Sequence, residues 1–274
     1  MWSCMFALSS LAHAEDSTFT GTAEAPTEEA PATETHVTGE LGGTVASGNS
    51  NFYTVNGLVS ASHKFGRNQL SLVAGLNLGG AKPLPVVATT TGGATETLPP
   101  ADPDKYVQNV QRLYADGRYD RFLTDHDALY VLAGAFRDRF AGYDLRTHEQ
   151  IGYSRLLVDG EAATLRAELG LDWAQEDYTG DVDPGYADIL AARVLLGGSY
   201  AFDDRASVAD TVEVYENLLD PADVRVLNTA SVTATLSGKL SLKVSHALIF
   251  DNVPVEGFEP LDQTTMVTLV ASLL

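Results

Sequence analysis

Apolar and polar side chains alternate with a period of two along most of this chain. From residue 165 to residue 173, leucine, alanine and tryptophan occupy every odd position, whereas Arg166, Glu168 and Asp172 occupy even positions. Residues 224–236 and 240–251 show the same alternation. An amphipathic helix would instead group its apolar residues three and four positions apart. The chain is therefore predicted to be all-β, with one apolar face on each strand.

About twelve segments carry this alternation, and most are ten or more residues long. They are residues 36–47, 51–63, 68–79, 105–121, 128–138, 144–156, 162–175, 187–202, 206–217, 224–236, 240–251 and 263–274. Ordinary globular strands average about five or six residues, whereas a tilted strand that crosses a bilayer needs about nine to eleven. An open sheet edge would leave backbone groups unpaired in lipid. The lengths therefore predict a closed, antiparallel, up-and-down transmembrane β-barrel of about twelve strands.

The connections between these segments alternate in length. Those that follow even-numbered segments are short, as at 158–160 and 203–205, whereas most of those that follow odd-numbered segments are longer, as at 80–104 and 176–186. Outer-membrane barrels have short periplasmic turns and long external loops. The long connections are therefore predicted to be external, with both ends of the barrel domain in the periplasm.

The first residues of the chain predict export. Residues 1–14 are mostly apolar and end in Ala12-His13-Ala14, a small-x-small pattern typical of a cleaved signal peptide. Residues 15–35 are acidic and rich in alanine, threonine and proline, which predicts a disordered linker before a barrel at 36–274. Cys4 is the one cysteine and lies in the predicted signal peptide. No disulfide is therefore expected in the mature chain.

The overall charge excludes one class of partner. The net charge is −20, with 37 acidic and 17 basic residues. Binding of nucleic acid needs clustered lysine and arginine to neutralise phosphates, so no nucleic-acid partner is predicted. Because the chain is predicted to be an exported barrel, its expected location is the outer membrane. Its expected partners are outer-membrane lipid, lipopolysaccharide and the barrel-assembly machinery.

Several stretches of the chain resemble a known family. The opening GELGGTVASGNSN, the block RLYADGRYDRFLTDHDALYVLAGAFRDRFAGYDLRT and the segments IGYSRLL and AELGLDWAQEDY look like the salt-induced outer membrane protein family. The resemblance covers about residues 36–274. It implies an outer-membrane barrel, and because that family is of unknown function, it brings no substrate, activity or binding residues.

The polar faces of the strands are predicted to line the lumen, since charges in a barrel must face water or one another. The candidates are Arg112, Tyr114, Asp116, Arg118, Arg146, Arg166, Glu168, Asp172, Arg193, Glu213, Arg225 and Lys243. Two functions fit them: a narrow channel in which the arginines guide small polar or anionic solutes, or a non-conducting structural or envelope-stress barrel with a filled lumen. Twelve strands fall between filled and open barrels, so size leaves both alternatives open.

Motifs for metal binding and catalysis are weak in this sequence. Glu176, Asp177, Asp181 and Asp183 offer carboxylates to a metal ion, but not at the spacing of an EF-hand. An enzyme site at the external rim, around 137–139 and 148–149, is a third alternative that no hydrolase motif supports. The run 125–127, Asp-His-Asp, is interpreted as a tight turn. No catalytic residue and no cofactor are predicted.

The assignment of faces also predicts the effects of substitutions. Arginine in place of Leu169 should be costly because the site faces lipid, whereas serine in place of Gly170, on the lumen side, should be tolerated. Glutamine in place of Arg166 and Arg193 should shift ion selectivity toward cations in a barrel that still folds.

Overall fold

The regular structure of the protein consists of antiparallel β-strands. The computed structural model describes residues 33–46, 51–83, 86–89, 95–98, 105–180, 184–254 and 258–273. The strands are β1 (Thr33–Ala46), β2 (Phe52–Phe65), β3 (Asn68–Ala81), β4 (Val86–Thr89), β5 (Thr95–Leu98), β6 (Val107–Phe122), β7 (Asp127–Asp138), β8 (Tyr143–Asp159), β9 (Ala163–Tyr178), β10 (Tyr186–Ala201), β11 (Ala206–Asn217), β12 (Val224–Ser237), β13 (Leu240–Asp251) and β14 (Leu261–Ser272). Within these residues, no helix is long and apolar enough to cross a membrane.

Twelve of the strands close into a single barrel, in which each strand pairs with the barrel strands before and after it in the chain. β3 pairs with β6, because β4 and β5 form a separate two-stranded hairpin inside the connection between them. β1 pairs with β14 and closes the ring. The predicted closed, antiparallel, up-and-down barrel of twelve strands is thus confirmed.

The bounds of the strands follow the alternation of the sequence closely. β11 and β13 match their predicted spans, whereas β8 reaches 17 residues and β9 reaches 16. The ladder between β8 and β9 contains register shifts near both ends, which insert unpaired residues and lengthen β8. The hairpin of β4 and β5 was not predicted. β1 begins at Thr33, three residues before the predicted start of the barrel, and residues 1–32 lie outside those that the structure describes.

The barrel closes through a short seam. β1 and β14 share five residue pairs, from Thr38 with Ser272 to Gly42 with Thr268, whereas β1 and β2 share fourteen. Since each pair contributes backbone hydrogen bonds, the seam between β1 and β14 is held by fewer bonds than the ladder on the other side of β1.

The barrel carries apolar side chains on its outer surface and charged side chains on its inner surface, which is the reverse of the arrangement in a soluble protein. Apolar side chains are exposed on the outside, with Leu169 60% and Ile151 61% accessible, whereas Glu168 and Arg193 point inward and are each 1% accessible. Every backbone group of a closed barrel has an inter-strand partner, so this apolar exterior suits the hydrocarbon of a bilayer. The charges of the strands are therefore concentrated in the lumen.

Candidate functional site in the barrel lumen

The structure places the twelve predicted lumen residues on the inner face of the barrel. Nine of them are at most 9% accessible, namely Arg112, Asp116, Arg118, Arg166, Glu168, Asp172, Arg193, Glu213 and Arg225. Tyr114, Arg146 and Lys243 are half-buried. Strand alternation explains this placement, because residues two apart on one strand point to the same side.

Glu168 is the centre of a group of buried ions, called here the Glu168 cluster and consisting of Arg118, Arg166, Glu168 and Arg193. Its carboxylate lies 2.8 Å from Arg118 Nη2, 2.8 Å from Arg193 Nη1 and 3.4 Å from Arg166 Nε. The three arginines come from β6, β9 and β10. A buried carboxylate is costly unless it is paired and hydrogen-bonded, and this one is compensated from three directions.

Two further carboxylates balance the charge of the Glu168 cluster. Asp120 lies 2.7 Å from Arg118 Nη2, and Glu213 lies 2.7 Å from Arg193 Nη2. Three arginines therefore face the three carboxylates of Asp120, Glu168 and Glu213. This part of the lumen has no net formal charge and no excess of cations.

Tyr130 fills the space between these ions, and its side chain is 1% accessible. Its hydroxyl accepts a hydrogen bond from Arg193 Nη1 at 2.8 Å, and the Arg118 guanidinium lies 4.1 Å from its ring centroid. A Cβ on Gly152 or on Gly170 would lie 2.6 Å from Tyr130 atoms. The expectation that serine is tolerated at Gly170 therefore conflicts with the packing, because a side chain there would collide with Tyr130 and with a backbone carbonyl.

A second group of ions lies where the strands lead into the longer connections. It is called here the external cluster, because the longer connections at this end are predicted to be external, and it consists of Arg146, Asp172, Glu176, Asp223, Arg225 and Asp251. Arg225 reaches Glu176 at 2.5 Å, Asp251 at 3.2 Å and Asp223 at 3.4 Å, and Arg146 lies 3.4 Å from Glu176 and 3.9 Å from Asp172. Four carboxylates face two arginines, so the external cluster is negative.

His148 connects the external cluster to Asp116 inside the lumen. Its Nε2 lies 3.0 Å from Asp116 Oδ1, and its Nδ1 lies 3.3 Å from Asp172 Oδ1. Gln150, two residues along β8, donates to the Tyr215 hydroxyl at 3.4 Å. Glu149 lies on the opposite, outer face of β8 and is exposed. His148 and Glu149 therefore do not form a joint site at the rim.

The candidate metal ligands are separated by the strand. Glu176 is an inner residue of β9 that is paired with Arg225, whereas its neighbour Asp177 points to the other side of the sheet. Asp181 and Asp183 lie outside the residues that the structure describes. Over the described ranges, no group of three or more histidine, cysteine, aspartate or glutamate side chains is arranged to hold a metal ion.

The run at 125–127 consists of the last two residues of the turn before β7 and the first residue of that strand, Asp127. The Thr124 hydroxyl accepts hydrogen bonds from the backbone N–H groups of His126 and Asp127, at 3.2 and 3.0 Å, and donates to the Asp127 carboxylate at 2.6 Å. These bonds fold the chain back on itself, as in the turns that threonine and aspartate side chains typically stabilise. The contacts give these residues a structural role in the turn.

The wall of the lumen formed by β12–β14 and β1–β3 has a different chemistry. Its inner face is largely made of small or uncharged residues, among them Ser60, Asn77, Thr229, Ser231, Ser245 and Thr268. An ion pair also lies on this wall, between Lys243 Nζ and Glu40 Oε1 at 3.0 Å, and Thr268 donates to the same carboxylate at 3.1 Å. The lumen is thus charged on one side and mainly neutral on the other.

Phe258 crosses the mouth of the barrel at the end that carries the longer connections. It lies in the connection between β13 and β14, which is six strands away in the ring of twelve from the connection between β7 and β8. Its ring atoms are 2.9 to 3.3 Å from the position of a Cβ on Gly142, which has a φ of +92° in that opposite connection. The contact therefore joins opposite sides of the mouth, and a side chain at Gly142 would displace the ring.

The arginines predicted to guide anions are engaged with carboxylates. Arg118, Arg166, Arg193 and Arg225 have the partners given above, and Arg112 lies 4.0 Å from Asp138. They therefore do not line an open path as free charges. The expectation that the barrel tolerates glutamine at Arg166 and Arg193 also conflicts with this geometry, because Arg193 compensates two buried carboxylates.

Comparison with known proteins identifies the family. Residues 39–273 match the model of a family described as "Protein of unknown function, DUF481". The chain belongs to the DUF481 family. Membership confirms the resemblance to the salt-induced outer membrane protein family. A DUF481 relative, the uncharacterized protein YdiY of Escherichia coli (strain K12), is 27% identical over 168 residues, which are 58% of this chain and 62% of YdiY.

Solved structures similar to this DUF481 chain are also barrels. The NanC porin gives a TM-score of 0.49 at 10% identity, covering 88% of this chain and 100% of that one. An outer membrane channel from Pseudomonas putida F1 gives 0.44 at 14% identity, covering 91% and 100%. The translocator domain of the autotransporter NalP from Neisseria meningitidis gives 0.42 at 14% identity, covering 88% of each chain.

The DUF481 chain is an outer-membrane β-barrel. Its twelve strands leave no open edge, and its exterior exposes apolar side chains such as Leu169, Trp173 and Val194. A closed strand barrel is the one β-structure that satisfies its backbone in hydrocarbon, and an apolar outer band is the mark of outer-membrane barrels.

Proposed function

We propose that this protein is a structural barrel of the outer membrane whose lumen is closed, and that it is not an open diffusion porin. The observation that carries the proposal is the burial of the Glu168 cluster. Side chains that line a water-filled pore remain hydrated, whereas Glu168 and Arg193 make their hydrogen bonds with other side chains and exclude water.

The connectivity of the lumen contacts supports closure. Arg118 with Glu168, Arg193 with Tyr130 and Arg225 with Glu176 each join strands that are three apart in the ring. Such contacts pass through the lumen rather than along its wall. Phe258 adds a contact across the external mouth.

Conductance of the purified full-length protein in a planar bilayer tests this proposal. We expect no steady current from the wild type. The substitution Tyr130→Ala, which empties the space between Arg118 and Arg193, should introduce a leak current. Tyr119→Ala on the outer face of β6 is the matched control and should not. A steady current through the wild type, unchanged by Tyr130→Ala, would show that the lumen network does not close the barrel.

A narrow channel for small polar solutes is the second candidate, and the neutral wall of the lumen favours it. Thr229 and Ser231 are only half-buried, and the Lys243–Glu40 pair is a charged pair that a solute moving along this wall would meet. If the wild type conducts, Lys243→Gln should shift the reversal potential in a salt gradient toward cation selectivity. An unchanged reversal potential in the folded variant would place the path elsewhere.

Partners of the barrel are proposed from its exterior. The apolar outer face contacts outer-membrane lipid. We also propose contact with lipopolysaccharide at the external ends of the strands, and insertion by the barrel-assembly machinery, because a closed barrel cannot enter the membrane strand by strand without leaving edges unpaired. A rim enzyme is not favoured, since His148 and Glu149 occupy opposite faces of β8.

A further inference from the structure

The seam between β1 and β14 is paired over only part of its length. Its residue pairs end at Gly42 with Thr268, although both strands continue beyond this point toward the end with the longer connections. Over that stretch, the described residues of β1 and β14 have ladder partners only on β2 and β13. Residues 43–45 and 265–267, called here the unpaired seam, therefore present backbone N–H and C=O groups to the seam without a ladder partner.

Side chains of β1 along the unpaired seam are more accessible than their ladder partners on β2. Thr44 and its partner Thr54 both point to the inner side, but Thr44 is exposed whereas Thr54 is half-buried. On the outer side, Val45 is 83% accessible and its partner Tyr53 is 36% accessible. The wall of the barrel therefore has a gap beside this part of β1.

Two glycines lie where β1 separates from β14. A Cβ on Gly42 would lie 2.8 Å from the Val267 carbonyl oxygen, and a Cβ on Gly43 would lie 2.8 Å from the Thr54 carbonyl oxygen on β2. The backbone of β1 therefore approaches β14 closely at Gly42 and approaches β2 closely at the next residue. Glycine inside a strand often marks a bend or a close approach of another backbone, and here it allows β1 to turn away from β14.

The unpaired seam lies at the depth of the apolar outer band. Val45 is beside Tyr53, whose ring packs against Tyr106 with centroids 5.5 Å apart, and aromatic side chains mark the interfaces of outer-membrane barrels. Gly43 is deeper in the band, and Val267 on the other side of the gap points outward. Acyl chains offer no hydrogen bonds to unpaired backbone groups. Lipid alone therefore does not stabilise this gap.

The register of the seam would allow the gap to close. Continued to Val45, the register places Gly43 opposite Val267 and Val45 opposite Thr265. Closing would pair the backbone groups of the two strands with one another. In the open arrangement, water from the lumen or the hydroxyl groups of a bound molecule would satisfy them. The population of each arrangement therefore depends on what occupies the gap.

We propose that the unpaired seam is a lateral gate through which the lumen and the membrane exchange uncharged amphipathic molecules. On the lumen side the gap leads to the hydroxyl groups of Thr44 and Ser245, and on the lipid side it is flanked by Val45 and Val267. A molecule with hydroxyl groups and an apolar chain matches both sides. The inference goes beyond the closed lumen, because the Glu168 cluster on the opposite wall blocks passage along the axis, whereas the gap leads sideways.

Disulfide trapping tests whether the seam closes. In a Cys4→Ser background, Val45→Cys with Thr265→Cys lies on the continued register. Leu41→Cys with Leu269→Cys, a pair of the existing ladder with the same place in its hydrogen-bonding pattern, is the matched control. In full-length protein in lipid vesicles, the first pair should link completely but about tenfold or more slowly than the control, because a minor state is at most about 10% populated. No linkage would mean a fixed gap, and linkage at the control rate would mean a seam that is always closed. Either result would overturn the gate.

Labelling from the lipid phase tests the route. In the same Cys4→Ser background, Met266→Cys lies on the inner face beside the gap, and Ser245→Cys replaces its buried ladder partner on β13. A maleimide with a dodecyl chain, dissolved in the vesicle lipid, should label Met266→Cys and leave Ser245→Cys largely unmodified. Equal labelling of the two, or none of either, would disprove a lateral route.

A locked seam provides the decisive comparison. With the disulfide between Val45→Cys and Thr265→Cys formed first, labelling of Met266→Cys from the lipid should be lost, and reduction of the disulfide should restore it. Labelling that persists in the locked, heat-resistant barrel would show that the probe arrives by another path. If the locked variant does not fold, the comparison of Met266→Cys with Ser245→Cys decides. These results are independent of whether the barrel conducts ions along its axis.

Discussion

At the scale of residues, Tyr130 is in contact with both the ions and the backbone of the lumen. Its ring lies against the Arg118 guanidinium, its hydroxyl accepts from Arg193, and its atoms occupy the space above Gly152 and Gly170. The two glycines give the ring room between neighbouring strands. The packing around the Glu168 cluster therefore includes an aromatic side chain as well as ion pairs.

Substitution of Gly170 tests this packing. A Cβ at Gly170 would lie 2.6 Å from the Tyr130 hydroxyl and 2.8 Å from the Ile151 carbonyl oxygen. Relief of the second contact would require the backbone of β8 to move. We expect Gly170→Ser to destabilise the barrel by about 1–3 kcal/mol, measured by urea unfolding in lipid vesicles. Gly117→Ala is the control, since its nearest atom would be 3.9 Å away. Equal urea concentrations at the midpoint of unfolding for the two variants would argue against this packing of Tyr130.

Removal of the Glu168 charge tests the ion pairs. Glu168→Gln keeps the size of the side chain but leaves the guanidinium groups of Arg118, Arg166 and Arg193 around a neutral amide. Breaking a buried pair by removing one partner costs about 3–5 kcal/mol, and we expect a loss of that order in unfolding free energy. Glu149→Gln, on the exposed outer face of β8, should change stability little. A stable Glu168→Gln barrel would mean that the arginines are compensated elsewhere.

At the scale of elements, the period of two predicted which face of a strand is inner but not which residues meet. β9 shows both outcomes: Arg166, Glu168 and Asp172 follow from alternation, whereas Glu176 continues the same face but was assigned to a loop. Tyr130 was missed because both faces of β7 carry apolar residues and give no polar signal. Some of the pairs also depend on the curvature of the barrel, since Arg118 with Glu168 and Arg225 with Glu176 join strands three apart.

The hairpin of β4 and β5 shows another limit of the sequence pattern. Its strands have four residues each and lie in a connection rich in proline, glycine and threonine. Such composition predicts a loop, and two short strands contain too few positions to establish a period. Local hydrogen bonding between the two segments, rather than alternation, defines this element.

An arginine on the outer face of β9 tests the membrane position of that strand. Leu169 is 60% accessible near the middle of the strand, so Leu169→Arg should reduce stability by about 2–4 kcal/mol in a bilayer. Leu157→Arg, close to the end of β8, should cost only about 0–1 kcal/mol because it lies near the interface. The fraction of heat-resistant folded barrel on a gel measures both. Equal losses would indicate a different depth for these strands.

At the scale of the whole molecule, the connections at the two ends of the barrel differ. One end has the tight connections at 66–67, 123–126 and 202–205, and the other has the connections that contain β4, β5 and Phe258. Since outer-membrane barrels keep their longer loops outside, the end that carries the external cluster and Phe258 is expected to face the exterior. Residue 92, in the connection 80–104 that the sequence predicts to be external, lies outside the described residues.

Epitope tags test this orientation. A tag inserted at Gly180, where a Cβ would meet no atom within 4 Å, should be labelled by antibody on intact cells. A tag at Asp204, in the short turn between β10 and β11, should be labelled only after the outer membrane is permeabilised. The reverse labelling pattern would show that the barrel has the opposite orientation, with the external cluster in the periplasm.

The burial of the lumen charges determines how the barrel responds to ionic strength. Dissolved ions weaken interactions between exposed charges beyond about 8 Å at physiological ionic strength, but they reach buried pairs much less. Members of the Glu168 cluster are at most 9% accessible, so their pairs should persist in concentrated salt. The chain as a whole carries a net charge of −20, and salt reduces the mutual repulsion of its exposed carboxylates. A medium rich in electrolyte should therefore relieve repulsion at the surface while the buried ion pairs of the interior stay formed.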